Sequence, residues 1–309
     1  FQPLAMGVTS GILVFVALIP GLPATPFLFL ASILGTAMWA VRRYEGAEAD
    51  VKKKADVQKM ETEAQETNAP PEVDKLELQV GYGLVSMVEG SKSDLVDRVY
   101  QIRKEFARDL GIVVPKVRIK DNLELQPTQY SILIKGVSVA TGDLMSGYAL
   151  AMDPGGVESP VAGIETKEPV FGLAALWVPE KNKEKAMGAG YTVVDHSTVV
   201  ATHLTEVIRR HSHELLGRQD LQTLIDGIQK VSPKVVEELI PGLMPLGTVL
   251  KVCHNLLREQ VPIRDLTTIL ETLANHAASI KDPDQLTEYV RAVLARTITH
   301  RLTTGSMNL

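Results

Sequence analysis

The 309-residue sequence predicts a transmembrane α-helical hairpin followed by a multidomain cytoplasmic region of α/β and α structure. Three observations lead to this fold class. Residues 1–41 are almost free of charge, residues 42–75 are densely charged, and the sequence from residue 76 onward alternates between strand-like and helix-like hydrophobic periods. Because a chain of this length rarely builds a single core, we expect several domains.

The hairpin is predicted over residues 1–44. Two apolar runs, at about 4–19 and 24–41, are each near the roughly 17–20 residues that a spanning helix needs, and a Pro- and Gly-containing turn from Pro20 separates them. A cleaved signal peptide would have one such run. The positive-inside rule, applied to the arginines from Arg42, places the following chain in the cytoplasm. The alternative is a buried helical hairpin in a soluble core.

A charged linker is predicted next, over residues 45–74, where Ala, Lys and Glu alternate before two prolines. The chain begins with Phe1 instead of Met, so we expect a fragment of a longer protein. Ionisable residues are absent from both apolar runs, which favours an anchor or pore wall over an ion-handling segment.

An α/β subdomain is predicted over residues 75–146 and 196–215. The segments LELQVGYGLVSMV, VVPKVRIKD and QYSILIKGVSVATG have strand composition. Between the first two lies a helix that begins at Ser93 or Asp94, stops at Gly111, and carries one apolar face, namely Leu95, Val99, Ile102 and Phe106. A second helix, capped by Ser197 or Thr198 and ended by Gly217, can pack back on this sheet.

Residues 147–195 lie between these parts and contain a DPGG turn, an apolar segment FGLAALWV and a loop into a strand. They are therefore predicted to form a small inserted α/β subdomain. From residue 216 to 297 the pattern is helical, interrupted by prolines, and residues 298–309 are predicted to start a truncated further subdomain or a tail.

One predicted helix of this region, in VPIRDLTTILETLANHA, begins with a charged pair. Pro262 suits a helix start, and Asp265 in the first turn suits the helix dipole. Arg264 points off the apolar stripe. The pair is thus interpreted as a helix start or as an edge that contacts a neighbouring subunit.

Tests for chemistry favour a protein that is not an enzyme. The chain lacks the phosphate-binding GxxxxGK[ST] loop and the GxSxG nucleophile elbow, and the adjacent Asp195, His196 and Ser197 are interpreted as helix-start residues. His203, His211 and His213 with Glu214 lack the spacing of a zinc site and are interpreted as a solvated helix face. We expect no metal and no cofactor.

The composition of the chain bears on two questions, namely whether it binds nucleic acid and whether it works in a reducing compartment. A net charge of −5, with few aromatic residues, gives no support for nucleic-acid binding. A single cysteine, Cys253, excludes an internal disulfide and suits a reducing compartment.

Six blocks of the sequence, in this order, resemble the FlhA/SctV superfamily of type III secretion export-gate proteins, most closely its flagellar branch. The blocks are VGYGLVSMV, PKVRIKDNLELQPTQYSILIKG, FGLAALWV, GYTVVDHSTVVATHL, VPIRDLTTILETLANHA and DPDQLTEYVRAVLARTIT. The resemblance implies a non-enzymatic component of the flagellar export gate. It also implies a multi-pass protein of the bacterial inner membrane whose C-terminal region assembles below the pore as a nonameric ring. The implied partners are export chaperones with bound cargo, other export-gate membrane proteins, the export ATPase complex and membrane lipid.

The resemblance also implies where chaperones dock. In the family, an acidic residue, a Phe three residues later and a Thr in the following helix line a hydrophobic dimple, and these correspond to Glu168, Phe171 and Thr202. The family usually has Asp where Glu168 stands, so the polar contact is expected to shift. From the residues alone, Phe171 would be assigned to the core. Arg264 and Asp265 are candidates for the subunit interface. The alternative functions are a virulence injectisome gate protein and an ion-coupled transporter subunit driven by the proton motive force.

Overall fold

The computed structural model describes residues 73–85, 94–157 and 159–306, with side chains described as far as residue 303. The predicted hairpin, at 1–44, and nearly all of the predicted linker, at 45–74, lie outside these residues. None of the helices in the described ranges is both long and apolar enough to cross a membrane.

Two four-stranded sheets and the helices on them fill the first half of the described chain. The strands are β1 Leu76–Val80, β2 Arg118–Asp121, β3 Gln129–Ile134, β4 Val137–Asp143, β5 Tyr148–Met152, β6 Ile164–Lys167, β7 Ala174–Pro179 and β8 Thr192–Val194. The helices among them are α1 Asp94–Asp109, α2 Lys183–Gly188, α3 His196–Arg210 and α4 Ser212–Leu215.

The first sheet has the strand order β2-β1-β3-β4, and α1 and α3 pack against each other beside it. Strand β1 runs parallel to β2 and antiparallel to β3. A two-residue turn, Lys135 and Gly136, joins β3 to β4, and both residues have positive φ, of 51° and 79°. Such a turn matches the right-handed twist of the paired strands. The predicted apolar face of α1 is buried in full.

The second sheet has the order β6-β7-β5-β8 and lies entirely within residues 148–194. It is antiparallel throughout its pairings. Leu150, Ala175 and Trp177 join the hydrophobic core of the first sheet, whereas Ala151, Val178 and Ala186 form a small core of their own with α2. The chain enters this lobe after β4 and leaves it directly into α3.

The rest of the described chain is helical, as the hydrophobic periods predict. Its helices are α5 Arg218–Gln229, α6 Pro233–Glu238, α7 Leu246–Arg258, α8 Leu266–His276, α9 Pro283–Val293 and α10 Ala295–Ser306. Their buried side chains continue the main core. Helix α10 runs across the predicted boundary between residues 297 and 298.

Three predicted helix boundaries were wrong by two to seven residues. Asp195, instead of Ser197 or Thr198, caps α3 by accepting a hydrogen bond from the Thr198 amide at 2.7 Å. Gly217 does not end that helix, because the chain turns after Arg210 and Gly217 instead precedes α5. Pro262 lies before the helix start, which is set by Asp265.

Candidate functional site

The loop between β6 and β7, residues 168–173, is folded around one carboxylate. The Glu168 side chain is 7% exposed, and its two oxygens accept hydrogen bonds from the amides of Val170 and Phe171, each at 2.8 Å. The backbone closes the same loop, since the Glu168 amide donates to the Leu173 carbonyl at 2.8 Å. Gly172 completes the turn with φ +68°, a conformation that favours glycine. The role of Glu168 in this structure is therefore to shape the loop.

Phe171 stands at the tip of this loop, with 66% of its surface exposed. Leu173, two residues later, is 57% exposed. Two large apolar side chains thus face outward from a loop whose backbone is held by hydrogen bonds. The assignment of Phe171 to the core, which local sequence favours, is not what the structure shows.

The third predicted site residue, Thr202, is an exposed residue of α3. Its neighbour His203 is buried, and the Glu168 carboxylate acts electrostatically on His203. The structure therefore joins Glu168 and Phe171, because the Glu168 carboxylate accepts a hydrogen bond from the Phe171 amide. Thr202 lies on a different element, α3, and its place beside the loop stays a prediction.

A buried pair between β3 and α3 was missed by the sequence analysis. The Tyr130 hydroxyl on β3 and Nδ1 of His203 on α3 lie 2.8 Å apart, with the two rings edge to face at a centroid distance of 5.7 Å. Gly142 on β4 leaves the space for the hydroxyl, because a Cβ there would lie 2.5 Å from that oxygen. His203 is 6% exposed, so its assignment to a solvated helix face was wrong.

Burial governs the protonation of this pair. Loss of solvation raises the pKa of Tyr130, and the negative charges of Glu168 and Asp143 raise it further. Loss of solvation lowers the pKa of His203 below its usual 6.5, against the opposing effect of Glu168 and with that of Arg210. Around neutral pH, Tyr130 therefore keeps its proton and His203 is uncharged.

His211 and His213, at the junction of α3 and α4, make local contacts. His211 Nδ1 lies 2.7 Å from a carboxylate oxygen of Glu214, and His213 is half-buried beside them. Within the described ranges, no three side chains of the His, Cys, Asp and Glu types are grouped closely enough to hold a metal ion.

The Arg264 and Asp265 pair has a clear local role. The Asp265 carboxylate caps α8 by accepting from the Thr268 amide at 3.3 Å. The Arg264 backbone packs against Gly111, whose φ is +78°, and the Ile263 amide donates to the Leu110 carbonyl at 2.8 Å. This segment is therefore fastened to the end of α1. Both charged side chains remain exposed.

Comparison with known proteins shows which family has this architecture. The profile of the FHIPEP family matches residues 1–309. The chain belongs to the FHIPEP family. This result confirms the resemblance that the six sequence blocks indicated.

Similar proteins include flagellar biosynthesis proteins and several proteins of known structure. The flagellar biosynthesis protein FlhA of Escherichia coli (strain K12) is 43% identical over 302 residues, which make up 97% of this chain and 44% of that protein. The chain thus spans less than half the length of that relative. The structure of the Chlamydia pneumoniae CdsV and CdsO protein complex contains a chain with a TM-score of 0.68 and 26% identity, covering 77% of this chain and 74% of that one. Nonameric EPEC SctV-C shares the fold, with a TM-score of 0.57 at 24% identity, over 76% of this chain and 69% of its own.

Proposed function

We propose that this chain is part of the export gate of a bacterial flagellar type III secretion system and that its 168–173 loop docks export chaperones carrying cargo. Family membership supports the first part. The 43% identity to a flagellar protein over nearly the whole chain, against 26% to CdsV, supports the flagellar branch over the injectisome branch.

The docking proposal rests on Phe171. Exposing a phenylalanine to water is unfavourable unless a partner covers it, and a rigid support lowers the entropy lost when the partner binds. Glu168 supplies that support through its two backbone hydrogen bonds. An amphipathic helix of a chaperone can place its apolar side against Phe171 and Leu173, with the Thr202 hydroxyl at the margin.

The remaining partners follow from the family and belong to the same proposal. The protein sits in the bacterial inner membrane as a multi-pass protein, and copies of it form a nonameric ring in the cytoplasm. Arg264 and Asp265 contribute to the contacts between neighbouring copies. Other export-gate membrane proteins and the export ATPase complex act with this ring.

Calorimetric titration of the protein with a cognate chaperone–cargo complex tests the docking site. Truncating a central aromatic anchor commonly costs about 2 kcal/mol, so Phe171→Ala should weaken binding roughly thirtyfold. Thr202→Val should weaken it only about fivefold, because it removes one neutral hydrogen bond. Met187→Ala is the matched control, since Met187 is a 55% exposed apolar side chain on α2 of the same lobe. It should leave affinity unchanged.

Thermal melting of each variant completes the test. All three substitutions change side chains that are exposed, so the melting temperatures should stay close to that of the wild type. Wild-type affinity in a folded Phe171→Ala protein would exclude this loop as the docking site. Equal losses from Phe171→Ala and Met187→Ala would exclude it as well.

A further inference from the structure

Residues 211–217, which include α4, form the joint between the first α/β subdomain and the helical region. Helix α4 packs on α7 of the helical region. Two hydrogen bonds fasten this contact. The buried Ser212 hydroxyl donates to the Leu257 carbonyl at 3.4 Å, and Nε2 of His254 donates to the Leu216 carbonyl at 2.9 Å. A displacement of α4 would therefore loosen the place where the two parts meet.

Nδ1 of His213 is buried in this joint without a hydrogen-bond partner among the residues that the structure describes. The other ring nitrogen, Nε2, lies 4.0 Å from a carboxylate oxygen of Glu214. That same oxygen lies only 2.7 Å from Nδ1 of His211, so Glu214 makes its close hydrogen bond with His211. A neutral imidazole suits this position, because Nδ1 then carries no hydrogen and leaves only an acceptor unpaired.

The groups around His213 come from its own segment and from α7. Loss of solvation has the largest effect and lowers the pKa of His213 below its usual 6.5, whereas the Glu214 carboxylate beside it raises that pKa. Arg258 and His254 on α7, together with His211, lower it further. The imidazole of His213 is therefore neutral around pH 7.

We propose that proton uptake by His213 releases α4 from α7, so that acid loosens the joint between the first α/β subdomain and the helical region. A proton taken up from solvent places a hydrogen on Nδ1, and a buried N–H group without an acceptor is unfavourable. The imidazolium can find an acceptor only by turning Nδ1 toward water. That movement displaces α4 together with the hydrogen bonds it shares with α7.

The other two histidines of the joint do not have this effect. His254 already donates from Nε2 to the Leu216 carbonyl, and a proton added to its Nδ1 leaves that hydrogen bond in place. A proton added to His211 gives a charge-assisted hydrogen bond with Glu214, which strengthens the contact. Loosening by acid is therefore specific to His213.

Linkage gives the direction and the range of the pH effect. Because the pKa of His213 is lower in the folded chain than in the unfolded chain, the joint has its full stability above about pH 6.5. This stability is lost as the pH falls from there through the lower pKa of the folded chain. The effect depends on groups within this chain and not on the proposed docking function.

Hydrogen exchange read by mass spectrometry on the full chain measures the joint directly. Protection of the peptide that covers 211–217 is followed from about pH 7.5 to about pH 5, which spans the usual histidine range, and is corrected for the intrinsic pH dependence of exchange. It should fall about tenfold toward the acid end, as expected for one buried N–H group left without an acceptor. Protection of β3 and of α8, which lie in the two parts on either side of the joint, should stay constant.

The test variant is His213→Phe, which keeps an aromatic ring and does not titrate. It should abolish the pH response of the 211–217 peptide while circular dichroism shows a folded protein, and His213→Gln replaces it should the phenylalanine variant unfold. His276→Gln is the matched control, because it removes a histidine of α8 and should keep the wild-type response. Constant protection of the wild-type joint, an equal loss in β3 and α8, or an unchanged response in a folded His213 variant would overturn the proposal.

Discussion

Replacing Gly111 by alanine tests the contact between the end of α1, in the first α/β subdomain, and the segment before α8, in the helical region. Gly111 has φ +78°, and a Cβ built there would lie 2.4 Å from Cα and 2.5 Å from N of Arg264. Both atoms belong to backbone, so no side-chain rotation relieves the contact. The segment before α8 must move away, which breaks the hydrogen bond between the Ile263 amide and the Leu110 carbonyl.

The expected decrease in the free energy of unfolding has two contributions. A left-handed conformation costs a non-glycine residue roughly 1–2 kcal/mol. Breaking the backbone hydrogen bond and displacing Ile263, which is 1% exposed, adds about 2 kcal/mol. Gly111→Ala should therefore lower the free energy of unfolding by about 3–4 kcal/mol.

Gly147→Ala is the matched control. Gly147 has φ +79°, nearly the same as Gly111, but an added Cβ meets nothing within 4 Å. In this variant the free energy of unfolding should fall only by the cost of the left-handed conformation, roughly 1–2 kcal/mol. Urea unfolding followed by circular dichroism compares the two variants with the wild type. Equal losses from both substitutions would show that close packing between Gly111 and Arg264 does not hold the two parts together.

Two further predictions concern α7 and α8. Arg264→Ala should leave the free energy of unfolding nearly unchanged but lower the mass of the proposed ring assembly. Asp265→Ala should in addition lower the free energy of unfolding by about 1 kcal/mol, because α8 loses its cap, whereas Asp265→Asn should keep the cap. Mass photometry measures the mass of the assembly, and urea unfolding measures the free energy of unfolding. An unchanged assembly mass in both alanine variants would show that Arg264 and Asp265 act only at the helix start. The second prediction concerns Cys253, whose thiol is fully buried, so that its pKa is raised to about 12. Native protein should therefore react with iodoacetamide roughly a thousandfold more slowly than unfolded protein. Because Cys253 is the single cysteine of the sequence, mass spectrometry reads this rate directly, and rapid labelling of the native chain would contradict its buried position.

Much of the fold could be predicted because it is encoded locally. In α1, the four residues placed on the apolar face are the four that are buried. Strand composition likewise located β3 and β4, although as one stretch, because the Lys135 and Gly136 turn carries only one glycine as a signal. Helix caps were less predictable. Asp195, Ser197 and Thr198 all suit an N-cap, and the exit of the chain from β8 decides among them.

The residues of the candidate site came from family resemblance, and their role in docking stays a prediction. Family resemblance supplied Glu168 and Phe171, yet the carboxylate is turned inward to the loop amides, which the sequence does not reveal. The Tyr130–His203 contact joins residues 73 positions apart. Contacts of that kind leave no local periodicity, so a histidine on an amphipathic helix was assigned to the wrong face.

The insertion of the second sheet has a consequence for how the chain folds. Helix α3 packs on α1, but about 50 residues separate it from β4, the preceding element of the same part. A disordered segment of that length imposes a loop-closure entropy on every attempt to seat α3, a cost that grows by about 0.6 kcal/mol with each doubling of loop length. Once the inserted sheet has formed, the two ends of the segment are already tethered and that entropy is no longer lost when α3 docks. Because α3 also follows the lobe in the sequence, a ribosome makes the lobe before the helix that completes the core of the first part.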